Sequence, residues 1–76
     1  MDNEHQHIIA TADAFGELVK LRRRQLKMNQ SMLASLCGIP QPNLSKIETG
    51  RSGVNLETCL RLCATLGIDL VGKVRQ

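Results

Sequence analysis

The stretch Asn29-Gln30-Ser31-Met32-Leu33-Ala34-Ser35-Leu36-Cys37-Gly38-Ile39-Pro40-Gln41-Pro42-Asn43-Leu44-Ser45-Lys46-Ile47-Glu48 reads as two short helices joined by a tight turn at Gly38. Asn29 suits the cap of the first, over residues 30–37, and Gly38 suits the left-handed residue that ends it. The second covers 41–49, with Pro42 in the first turn, where backbone N–H groups lack helical partners. Leu33 and Cys37 point inward from the first helix, and Leu44 and Ile47 from the second. Ala34 is small where the helices cross, and Met32 is partly exposed. A polar face is left over on the second helix, an arrangement that lets one helix stand on the other and enter a DNA major groove.

Upstream, residues 1–10 read as a flexible tail in which Ile8 and Ile9 form a candidate short extended piece. His5 and His7 lie in that tail, and no metal site is expected. A first helix runs from a Thr11 cap to about Leu26, with Asp13 at the positive end of its dipole. Phe15, Val19, Arg22 and Leu26 share its inner face. Leu18 and Leu21 form a second stripe, open to intramolecular packing, a dimer mate or a protein partner. Downstream, Gly50 ends the second helix of the pair and 51–55 form a loop. Asn55 caps a last helix to Leu66, with a core stripe of Leu56, Cys59, Leu60, Cys63 and Leu66. After Gly67 the period changes, and Ile68, Leu70 and Val74 alternate with charged residues as in a half-buried strand. A lone strand leaves its backbone unpaired, so Ile68, Leu70, Val71 and Val74 are expected to pair two copies of the chain. The expected architecture is all-α: a tail over 1–10, four to five short helices over 11–67, and a dimerising β-strand over 68–76.

Seventy-six residues with one Phe and no Trp or Tyr make one small domain with an aliphatic core. Residues 1–19 hold Asp2, Glu4, Asp13 and Glu17 and no Lys or Arg. Residues 20–51 hold seven cations against Glu48 alone, a local charge of +6 that suits a phosphate backbone. Cys37, Cys59 and Cys63 fall where small apolar residues fit and lack metal-ligand spacing, so reduced thiols in a cytoplasmic chain are expected. No run has the length or apolarity of a membrane span. A Gly-rich phosphate loop, paired catalytic carboxylates and an ordered Cys/His pair are all absent from the sequence, which argues against an enzyme.

Asn29-Gln30, Leu33-Ala34, Cys37-Gly38-Ile39, Gln41, Leu44-Ser45, Ile47-Glu48, Gly50-Arg51 and Leu56-Glu57-Thr58 together resemble the Xre family of helix-turn-helix regulators, the lambda-repressor-like and Cro-like domains. The resemblance spans about Phe15 to Leu70. It implies base contacts from Gln41, Asn43 and Lys46, with Pro42 limited to apolar contact with a thymine methyl. It implies phosphate contacts from Asn29, Gln30, Ser45, Thr49, Arg51 and Ser52. It also implies an internal ion pair between Arg23 and Glu48, and leaves Arg22 and Arg24 solvated or near phosphate. Pro40 departs from the usual Ser or Thr cap, Pro42 replaces a common reader, and Lys27 replaces a common Gly.

Phe15-Gly16-Glu17-Leu18-Val19 with Arg22-Arg23-Arg24, and Leu66-Gly67-Ile68-Asp69-Leu70, resemble the HipB-type antitoxin subgroup. That likeness implies a homodimeric repressor of a palindromic double-stranded operator, autoregulating a toxin–antitoxin operon and holding a HipA-like kinase toxin, with no cofactor. The alternatives are a free-standing phage-type repressor or a restriction-modification controller.

Overall fold

The computed structural model describes residues 6–76, and His5 and the rest of 1–5 lie outside them. Four helices follow in order: α1 (Ala12–Gln25), α2 (Gln30–Cys37), α3 (Gln41–Glu48) and α4 (Leu56–Leu66). Their starts are set by local chemistry. The Thr11 hydroxyl accepts from the Ala14 N–H at 3.0 Å, and Asn29 and Asn55 Oδ1 accept from Met32 and Thr58 N–H at 2.8 Å. Pro40 precedes α3 and supplies no side-chain cap. Gly38 closes α2 in the left-handed region at φ 67°, as the turn between α2 and α3 requires.

The α1–α2 turn uses the same region without a glycine. Lys27 has φ 61°, the only positive φ at a non-glycine among the described residues. A Cβ in that conformation costs about 1–2 kcal/mol.

Phe15, Val19, Leu33, Ala34, Cys37, Leu44, Ile47, Leu62, Cys63 and Leu66 form one buried cluster to which all four helices contribute. Within it α1 packs on α3 and α4, while α2 packs on α3 and α4. The α1–α3 approach depends on Gly16, where a Cβ would collide with the Ile47 carbonyl oxygen and lie 2.9 Å from that of Glu48. Burial among apolar neighbours, reinforced by adjacent Cys59, pushes the Cys63 thiol up to about 11. All three cysteines are free thiols.

Three sequence expectations are corrected. In α4, Leu56 and Leu60 are 66% and 49% exposed, whereas Leu62 is fully buried. The helix carries two apolar stripes, and the one that faces α1 and α2 is Cys59, Leu62, Cys63 and Leu66. At the end of α1, Leu26 is exposed, because it caps the helix rather than continuing its inner face. Residues 68–76 carry no strand. The Ile68 N–H instead returns to the Cys63 carbonyl at 2.8 Å and closes α4, and Ile68 packs against the core. Beyond it, Leu70, Val71 and Val74 are exposed. A single segment without a neighbouring strand has no ladder to join. No helix among the described residues is long and apolar enough to cross a membrane.

Gly16→Ala is expected to destabilise the chain by about 1–3 kcal/mol, since backbone on the opposing helix must retreat. Urea unfolding measures it, and an unchanged midpoint would show that α1 and α3 are not held this closely.

Candidate nucleic-acid interface

The site is the outer edge of α3 together with its two flanking turns. Gln41, Pro42 and Asn43 are exposed at the start of α3, and Lys46 is exposed one turn later. Leu44 and Ile47 on the opposite side are buried, so the helix is pinned by its apolar face and offers its polar one. Arg51 is exposed just past the end of α3, and Ser52 is half-buried beside it. An open depression between α3 and the start of α4 is lined by Asn43, Lys46, Ser52, Asn55 and Thr58. Asn55 and Thr58 were not among the sequence-expected site residues. The signal available for them was the Asn55 cap directly after the loop.

What orients this edge is a buried ion pair. Arg23 Nε donates to Glu48 Oε2 at 2.7 Å and Nη2 to Oε1 at 3.0 Å, with the Glu48 side chain 1% exposed. Hydrogen bonding to Glu48 raises the pKa of Arg23 from its ordinary value, against the opposing effect of burial. The third arm, Nη1, donates to the Met28 carbonyl at 2.8 Å. One guanidinium thus joins α1, the α1–α2 turn and the end of α3.

Gln30 completes the bracket. Its Nε2 donates to Glu48 Oε1 at 3.0 Å, fixing the first residue of α2 to the last of α3. One amide hydrogen is therefore engaged and the second is available to a phosphate. Asn29 is similar: its oxygen caps α2, which leaves its NH₂ as a donor. Thr49 differs, because its hydroxyl bonds back to the Ser45 and Lys46 carbonyls at 3.0 and 3.2 Å. Its only hydrogen is directed into α3, so an outward donor role requires that bond to break. Ser45 is half-buried.

Two other arginines stitch helix ends. Arg22 Nε donates to the Leu66 carbonyl at 2.7 Å, so it braces the end of α4 rather than standing in solvent. Arg61 Nη1 donates to the Cys37 carbonyl at 3.0 Å at the end of α2. Both satisfy terminal carbonyls that have no intrahelical partner. Arg24 is exposed. Among the described residues no three His, Cys, Asp or Glu side chains are grouped to hold a metal ion.

The Helix-turn-helix family matches residues 19–72, and the chain belongs to that family, in its Xre-like form. It is 44% identical over 48 residues to an uncharacterized HTH-type transcriptional regulator of Haemophilus influenzae, covering 63% of this chain. It spans 49% of that relative's length. Among solved structures it is similar to the restriction-modification controller protein C.AhdI from Aeromonas hydrophila. The identity is 28%, the TM-score is 0.73, and the match covers 76% of this chain and 88% of that one. HipB in a HipB–O4 20mer complex, and a chain of a HipA–HipB–O2–O3 complex, each match with 25% identity and a TM-score of 0.76, covering 91% of this chain and 97% of theirs. The all-α helix-turn-helix fold of this chain matches the fold of these proteins.

Glu48→Ala is expected to cost about 3–5 kcal/mol in urea unfolding, because it strands a buried guanidinium. Combining it with Arg23→Met should cost less than the two single changes summed. Strict additivity would mean that the pair is not coupled.

Proposed function

We propose that the chain is a sequence-specific, DNA-binding transcriptional repressor that acts as a homodimer. The observation that carries this reading is the exposed edge Gln41–Asn43–Lys46, pinned from behind by Leu44 and Ile47 and braced by Arg23–Glu48–Gln30. In this reading Gln41 pairs with adenine and Lys46 reaches guanine acceptors. Asn43 contacts base or backbone, and Pro42 offers only apolar contact to a thymine methyl. Asn29, Gln30, Ser45, Arg51 and Ser52 anchor phosphates through side chains that set register rather than sequence. Thr49 joins them only by giving up its bonds within α3.

One such edge reads few base pairs, which favours two copies on a palindrome, one helical turn apart. An apolar groove lined by Ile9, Ala10, Phe15, Val54, Cys59 and Leu70 brings residues 9–10 and Leu70 beside α4. With Val71 and Val74 exposed just beyond Leu70, this end of the molecule is where the second copy is proposed to sit, while Ile68 stays on its own core.

The finer reading is a HipB-like antitoxin that binds a HipA-like kinase and represses its own operon from the cytoplasm. Matches to HipB that cover 91% of the chain, one of them in a complex with HipA, support it. The restriction-modification controller remains the second reading, on the 28% identity to C.AhdI. Co-purification with a kinase encoded beside the gene decides for the first, and a neighbouring restriction-modification operon for the second.

The test is binding to the DNA upstream of its own gene against random duplex. Gln41→Ala is expected to relax the preference at one base pair by about 1–3 kcal/mol, while Arg51→Ala weakens all sequences alike and lowers the salt slope by about one. Absence of any preference over random DNA at physiological salt would refute sequence-specific repression. Sedimentation addresses assembly: the full chain is expected to be dimeric and a chain ending at Gly67 monomeric, whereas a dimer surviving truncation would reject the terminal residues as the contact.

A further inference from the structure

We propose that Lys27 is an additional DNA-phosphate contact, held in an unfavourable backbone conformation because a positive charge is required at that point. This inference rests on the DNA-binding reading and extends its phosphate set by one residue.

The conformation is imposed by neighbours. The N–H groups of Leu26, Lys27 and Met28 donate to the Arg22, Arg24 and Arg23 carbonyls, each at 3.0 Å. The Met28 carbonyl is held by Arg23 at 2.8 Å, and the Met28 side chain packs against the core. Position 27 is therefore locked in the left-handed region at φ 61°, which Gly or Asn occupies with less strain than Lys. The turn itself gains nothing visible from a lysine there. Its side chain is exposed and forms no salt bridge with a described carboxylate, and the one acidic residue of α3, Glu48, is already taken by Arg23 and Gln30. A local rule broken without a structural return points to a role in binding.

The location identifies the ligand chemistry. Arg23 holds the turn through Met28 and holds Gln30 through Glu48, so Lys27 is carried on the same bracket as the proposed phosphate anchors Asn29 and Gln30. A cation with no salt bridge to a described carboxylate, next to the proposed phosphate anchors, adds a sequence-independent phosphate contact.

The experiment uses the full chain and a 30-base-pair duplex of random sequence, titrated with salt, alongside thermal unfolding. Lys27→Gly is expected to raise the melting temperature by about 4–8 °C. The same variant should weaken duplex binding about eightfold at 0.1 M salt and flatten the log–log salt slope by about 0.9 per bound chain. Lys27→Asn should lose the same affinity and Lys27→Arg should keep it. A wild-type salt slope in both neutral variants, with Arg51→Ala still lowering it, overturns the assignment of Lys27 and leaves the DNA reading intact. A melting temperature that does not rise in Lys27→Gly overturns the claim that the charge is kept against the backbone's preference. Wild-type chain that binds no duplex overturns the DNA reading and this inference together.

Discussion

The bidentate pair between Arg23 and Glu48 is the constraint on which the rest of the molecule depends. The core beneath it is aliphatic with one aromatic ring, and hydrophobic burial is non-directional. It brings four helices together but tolerates small rotations of one against another. A planar guanidinium with fixed donor directions does not. Its three arms meet Glu48 at the end of α3 and Met28 in the α1–α2 turn, and Gln30 adds the start of α2 through the same carboxylate. A buried charge that loses its partner is costly, so the pair resists any shift that would separate these elements.

That bracket explains how a short α3 can present a defined edge. Eight residues are too few for a helix to persist unaided in water. Here Leu44 and Ile47 fasten its middle, Glu48 fastens its end, and the close approach at Gly16 sets its distance from α1. Gln41, Asn43 and Lys46 are left on the outside by elimination. The same hydrogen-bond accounting revises the roles of their neighbours. Gln30 is half-committed to Glu48, and Thr49 is committed to its own helix.

Much of this was legible in the residues. Thr11, Asn29 and Asn55 marked helix starts, and Gly38 and Gly67 marked ends, because caps act within three or four residues. The leftover polar face of 41–49 followed from the apolar positions of Leu44 and Ile47. Less legible was α4, where Leu56–Leu60 and Cys59–Leu62–Cys63–Leu66 are both admissible stripes. Choosing between them needs the surfaces of α1 and α2. The alternation after Gly67 is a genuine period-two pattern, yet alternation specifies a strand only where another strand is present to pair with it.

The sequence by itself determined where the four helices start and stop to within a residue, the turn between α2 and α3, the basic character of residues 20–51 and the polar edge that α3 leaves exposed. All of these follow from local propensity, capping and composition. Only the tertiary structure decided which stripe of α4 is buried, that Arg22 and Arg61 close the ends of α4 and α2, that Gln30 joins the Arg23–Glu48 pair, and that Lys27 is held left-handed. Those outcomes depend on groups far apart in the chain, or, at Lys27, on a turn whose exit is fixed by the core and by Arg23. The physical reason is range: a cap is satisfied by the next turn of its own helix, whereas a guanidinium, an amide or an apolar face takes whichever partner the folded chain brings within reach.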